Sequence, residues 1–295
     1  MKNYKIFVII FIGIRKEQIC LKPLLLLNPS RGWGGLNSAP EKQYAFTLAE
    51  VLITLGIIGI VAAMTLPSLI NNQRNKALQT ALKKAYSRHS DALMLVKAEA
   101  GVDNIFNEFV IYDKNAGGYY RKNEFINMYR SKLKIIGKCK YKKRIRNYSN
   151  TEDAYIDIGG TATPKTLLSD GTCMDLVINA GTIGITIDIN GADKGPNRLG
   201  HDVFTFHVNK KGMWEPVKMT KLYTDAELED LKNQYLSQSE NGQLSASQIA
   251  GIEQKGRPCS IKSKQKGNGI GCTWYALNDI NPDDNSSRYW ENLPK

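Results

Sequence analysis

Sixteen consecutive residues, Val51–Leu66 (VLITLGIIGIVAAMTL), carry no charge. With Phe46–Ala49 before them and Pro67–Ile70 after them, the stretch reaches about 25 residues. At about 1.5 Å per helical residue this matches the ~30 Å hydrocarbon core of a bilayer. The only ionisable group in it is Glu50, near its start. A carboxylate at the centre of a membrane helix costs about 3 kcal/mol, less near the interface, and usually has a partner. A fresh amino terminus at Phe46 would supply the cation, in the same chain or in a neighbour.

The helix pattern continues beyond Pro67. Leu78, Leu82, Ala85, Tyr86, Leu93 and Val96 recur at helical spacing, with Lys83, Lys84, Arg88 and Asp91 on other faces. Gly101 is a natural stop. The spacing predicts one helix over 46–100, about 80 Å long. Its first part, 46–70, would be transmembrane, and its second, 71–100, amphipathic and packed on a head. Pro67 removes one backbone hydrogen bond and should kink or loosen the helix. Gly56 and Gly59 permit close helix approach without forming a G-x-x-x-G pair.

The run Ala45-Phe46-Thr47-Leu48-Ala49-Glu50-Val51-Leu52-Ile53 resembles the processing site of type IV prepilins and type II secretion pseudopilins. Counted from Phe46, Glu50 is fifth and Pro67 twenty-second, as in that family. The likeness covers residues 45 to about 89. It implies that a prepilin peptidase removes a leader, 1–45, by cutting between Ala45 and Phe46, and then methylates the Phe46 amino group. It also implies that Glu50 sets assembly register and that Pro67 bends the helix. Implied partners are other copies of the chain, related pilin-like subunits, an inner-membrane assembly platform and the lipid bilayer. The implied location is the bacterial inner membrane, single-pass, with the head outside the cytoplasm and a filament after assembly. Two features depart from the family. Ala45 stands where Gly is usual, and the leader is long. The leader holds seven Lys/Arg against two Asp/Glu, which favours a cytoplasmic side.

Residues 101–218 read as an α+β head. Asn123–Ile136 has helical spacing through Phe125, Ile126, Tyr129, Leu133 and Ile136. Strands are expected at Thr166–Leu168 and Cys173–Asn179 around an Asp170-Gly171 turn, at Ile183–Ile189, at Val203–Val208 and at Met213–Val217. Three or four such strands predict a small antiparallel sheet covering the long helix, which agrees with the pilin resemblance. Asp188, Asn190 and Asp193, followed by Asp202, place oxygen ligands around a Gly turn. That suits Ca2+, although no Glu occupies the twelfth position of an EF-hand. A hydrogen-bonded loop accounts for the same residues, while major pseudopilins resemble the first reading in having a calcium loop near their last strands. Residues 219–295 read as an extension decorating the head. Thr224 and Glu227 open a helix with a capping box.

Five cysteines contain no C-x-x-C pair. Four remain without Cys20, which suits an oxidising compartment. Three pairings are open, and short loops favour Cys139–Cys173 with Cys259–Cys272. Net charge is +12, densest over Lys138–Arg146, but the cations are otherwise scattered and no nucleic-acid-binding motif occurs. His89 falls on the apolar stripe of the long helix, and His201 and His207 lack a characteristic metal spacing. No P-loop, dinucleotide fingerprint or G-x-S-x-G is present. The reading is therefore a filament subunit and not an enzyme. An adhesive or DNA-uptake pilin and a single-pass anchored binding protein that does not polymerise are the alternatives.

Overall fold

The computed structural model describes residues 47–113, 118–119, 121–154, 163–179, 182–219, 223–239 and 242–294. Ala45 and Phe46 lie outside them. Two units are delimited, up to Leu55 and from Gly56 onward. In the first, Thr47–Leu55 is an exposed helix start.

Helix α1 spans Leu48–Ala100 and continues through Pro67. Gly101, at φ +65°, ends it in the left-handed conformation that glycine adopts without strain. Its large apolar side chains up to Ile70 are exposed. From Leu78 onward one stripe is buried: Leu78, Leu82, Ala85, His89, Ala92, Leu93 and Val96. Tyr86 is half-buried beside it, with its ring 5.9 Å from that of Phe206. The polarity change along α1 thus becomes a burial change.

Short helix α2 (Ile105–Phe109) and a two-stranded ribbon, β1 (Tyr112–Asp113) with β2 (Gly118–Tyr119), lead to helix α3 (Lys122–Ser131). A six-stranded antiparallel meander follows: β3 (Ile135–Lys138), β4 (Thr166–Leu168), β5 (Cys173–Asn179), β6 (Thr182–Asp188), β7 (Val203–Val208) and β8 (Trp214–Pro216). Register explains which face is apolar. Met174, Leu176 and Ile178 of β5 pair with Ile187, Ile185 and Ile183 of β6, which pair with Phe204, Phe206 and Val208 of β7. All nine share one core with the buried stripe of α1. The fold is α+β and consistent with a pilin-like fold.

The expected helix over 123–136 stops at Ser131. Ile135 and Gly137 pair with Leu168 and Leu167 of β4, so Ile136 is the extra residue of a bulge. Helical spacing misled because Leu133 is buried just after the helix, and β-branched Ile135 and Ile136 suit a strand.

After Met219 the chain divides in character. Helices α4 (Asp225–Ser237) and α5 (Ala246–Lys255) pack on each other, and α4 buries no residue. Residues 257–294, including a 3-10 turn at Ile270–Cys272 and helix α6 (Thr273–Asn278), are structural rather than ornamental. Cys259, Cys272, Tyr275, Ala276, Tyr289 and Trp290 belong to the same core as the sheet. Tyr289 donates its hydroxyl to the Gly200 carbonyl at 2.5 Å, and Trp290 its indole N–H to the Ala276 carbonyl at 2.8 Å. Those donors would be costly to bury unpaired. Disulfides join Cys139 to Cys173 and Cys259 to Cys272.

Candidate functional site

Helix α1 begins with a reciprocal cap. The Thr47 backbone N–H and hydroxyl each donate to Glu50 Oε2 at 2.8 Å, and the Glu50 N–H donates to Thr47 Oγ1 at 3.2 Å. This is a capping box, with Thr47 before the first helical turn and Glu50 at its third position. It satisfies two amides that a helix start leaves unpaired. Glu50 therefore sits at the first turn, where the helix dipole favours an acid. Two donors converge on one carboxylate oxygen, Oε2. Sequence reasoning assigned Glu50 and missed Thr47, although T-x-x-E is the same signature that marked Thr224 and Glu227. That second box is also formed.

Pro67 lies inside the apolar half of α1, as its spacing from Phe46 requires. None of the most apolar 18-residue window of the helix is buried by the rest of the chain. By length and composition this helix can cross a membrane.

The acidic loop after β6 gathers only part of the expected ligand set. Asp188 and Asp202 are both buried. Asp188 Oδ1 accepts from the backbone of Asn190 and Gly191 at 3.2 and 2.8 Å, and Oδ2 accepts from the Tyr141 hydroxyl at 2.8 Å. Asp202 accepts from the backbone of Asn197 and Arg198 at 2.9 and 2.7 Å. Burial, with the nearby Asp188 charge adding to it, pushes the Asp202 carboxyl up to about 7. Burial also raises that of Asp188 against its hydrogen bonds. The Asn190 and Asn197 side-chain oxygens are buried with no hydrogen-bond partner. Two acids and two unpartnered amide oxygens are hard donors that suit Ca2+. Asp193 does not join them: its side chain is 80% exposed and lies 3.8 Å from Lys142. Among the described residues no three His, Cys, Asp or Glu side chains form a metal-binding group. Tyr141 and Asn197 went unnoticed in the sequence. Tyr141 lies 47 residues before Asp188, so no local spacing reveals it.

The histidines are structural neighbours. His89 is buried, hydrogen-bonds Tyr129 through Nδ1, and stacks on Trp214 at 6.3 Å. His201 Nε2 lies 3.1 Å from the Arg198 guanidinium, which suits no metal.

Residues 41–66 match the prokaryotic N-terminal methylation motif. No curated protein and no solved structure matches the chain significantly. The motif covers the amino-terminal segment, which is similar to that of type IV pilin-like prepilins, and it overlaps the start of the helix that is long and apolar enough to cross a membrane.

Proposed function

We propose that the chain is a structural subunit of a type IV pilus-like filament, a pseudopilin of the type II secretion kind, and not an enzyme. The observation that carries this reading is the match over 41–66 coinciding with a helix whose first-turn acid, Glu50, presents a carboxylate at the head of an exposed apolar rod. In this mechanism a prepilin peptidase cuts between Ala45 and Phe46 and methylates the new amino group. The ammonium at Phe46 then pairs with Glu50 of a neighbouring subunit as the apolar helices bundle. In low dielectric an unpaired charge is costly, so only the axial stagger that pairs every charge is retained. Pro67 gives the helix a weak point within the bundle. The head lies on the periplasmic side of the inner membrane, and the partners are further copies, related pilin-like subunits and the assembly platform.

We also assign Ca2+ as a candidate structural ion of the head, held by Asp188 and Asp202 with the side-chain oxygens of Asn190 and Asn197. It would bridge two buried acids and stiffen the loop between β6 and β7.

Intact-mass measurement of the protein from its native envelope tests the main reading. The expected mass begins at Phe46 and carries one added methyl. Retention of residues 1–45 on the membrane-extracted protein removes the ammonium, and with it the assembly mechanism.

A further inference from the structure

Helix α4 has no fully buried residue, although Leu228, Leu231, Tyr235 and Leu236 are half-buried, and it is firmly started by the Thr224–Glu227 capping box. It carries Asp225, Glu227, Glu229 and Asp230 against one cation, Lys232. All four acids are exposed. Glu229 is 3.2 Å from Lys232, whereas Asp225 and Asp230 have no ion-pair partner among the described residues. The run Lys138–Arg146 has the opposite character, with six cations and no acid. Its Lys142 and Arg144 side chains are 88% and 84% exposed and form long ion pairs, with Asp193 at 3.8 Å and Asp153 at 3.7 Å, while Arg146 pairs with Asp153 at 3.0 Å. The backbone beneath is fixed. Cys139 is bonded to Cys173, Ile145 is buried, and the Arg146 N–H donates to the Asn197 carbonyl at 2.9 Å. Among the described residues no ion pair joins α4 to this run within one chain.

We propose that the α4–α5 hairpin of one copy docks on the Lys138–Arg146 surface of a neighbouring copy, joining the globular parts of the two copies in the assembled state. This rests on the filament reading and names a second contact within it, distinct from the helix bundle. Each copy carries both surfaces on different segments, so the contact is heterologous and repeats in an open series, as a filament needs. Exposed charge pairs are screened within about 8 Å at physiological salt. They therefore select register and partner more than they supply affinity. The match also accounts for the four acids concentrated on α4 in a chain of net +12.

The test mixes full-length chains labelled with light and heavy nitrogen in the native envelope, followed by a zero-length carbodiimide that joins carboxylates to amines. Mass spectrometry of peptides then separates hybrid from same-copy cross-links. The expected result is a hybrid link between an α4 acid and Lys138, Lys140, Lys142 or Lys143. Its yield should fall about tenfold when Asp225→Lys and Asp230→Lys, or Lys142→Glu and Lys143→Glu, place like charges opposite each other. Combining the four changes should restore it. Thermal unfolding of each variant confirms that the heads remain folded. Hybrid links indifferent to the reversals, links to lysines elsewhere, or no hybrid link in the unaltered chain overturn the docking. So does a run whose reversal abolishes DNA binding and leaves cross-linking intact. A mature mass beginning at Phe46 with pelletable filaments in those cases keeps the filament reading. A mass that retains residues 1–45 sinks that reading by itself.

Discussion

Thr47 and Glu50 are bound to each other twice through a single carboxylate oxygen, each contact 2.8 Å long. The acid proposed to set register is thus already oriented within its own chain. Glu50→Gln keeps an oxygen for the cap and removes the charge. The variant should insert and be cut at Phe46, and should lose pelletable filament at least about tenfold, as expected for an unpaired buried cation. Thr47→Val removes the capping hydroxyl at a cost of about 1 kcal/mol to the helix start. It should lower filament yield without abolishing it. Normal filament from Glu50→Gln would end the register role.

Burial of His89 makes the head acid-sensitive. Burial first, then the Arg88 charge, lowers its pKa from 6.5 to about 3, with Asp170 opposing. The groups facing it are Tyr129 from α3, Arg88 on its own helix and Asp170 from the turn between β4 and β5. Its folded pKa is depressed, so its contribution is complete above about pH 6.5 and is lost as pH falls towards 3. By pH 5 the loss approaches about 2 kcal/mol. His207, lowered to about 4 by burial and by Arg257, acts in the same direction. Asp188 and Asp202, whose pKa values are raised, act in the opposite one. Subtraction isolates His89. Urea unfolding of the detergent-solubilised chain, followed by Trp fluorescence from pH 7.5 to 5, should be less pH-dependent in His89→Asn by about one proton. Parallel curves for the two proteins would refute this.

Legibility followed locality. The stripe Leu78, Leu82, Ala85 and Val96 was readable because helix periodicity is a local property, and β7 matched its expected Val203–Val208 bounds because alternation and flanking turns coincide there. The disulfide pairs agree with the short-loop pairing. What escaped was non-local. Ile135 joins the sheet edge through Leu168, which lies beyond a long connection. Tyr289 and Trp290 enter the core from the end of the chain, where composition signals only an aromatic pair. In the acidic loop, spacing grouped Asp188, Asn190, Asp193 and Asp202 but did not show that Asp193 turns outward to Lys142. At the helix start, the Thr47 signature was present and was overshadowed by the charge of Glu50.

The carboxyl-terminal segment should behave as part of the core. At Gly200, φ is +73° and an added Cβ would meet Tyr148 Cδ2 at 2.7 Å and Cys272 Sγ and the Tyr289 hydroxyl oxygen at 2.9 Å. Gly200→Ala therefore combines backbone strain with a clash between two buried segments. It should cost about 2 to 4 kcal/mol. Cys259→Ser with Cys272→Ser opens a 13-residue separation, worth about 3 kcal/mol in the chain-entropy model. Unfolding midpoints of the full chain in detergent should fall in both cases. A fall under 0.5 kcal/mol, the range of ordinary surface changes, would show that the segment does not contribute to the core.

Calcium should discriminate among the four acidic-loop residues according to their burial. If Asp188 and Asp202 share an ion with Asn190 and Asn197, added Ca2+ should raise the unfolding midpoint of the chelator-treated full chain saturably. The gain is about 2.7 kcal/mol at a hundredfold excess over the dissociation constant. Mg2+ at equal ionic strength should do much less, because it demands a tighter octahedral shell. Asp202→Asn should abolish the response, since it removes one of the two buried charges that a divalent ion would bridge. Asp193→Asn should leave it unchanged, because that side chain points to solvent and Lys142. A flat titration of the unaltered chain would leave the loop as a hydrogen-bonded turn. A response lost with Asp193 and kept without Asp202 would move the ion to the surface of the loop.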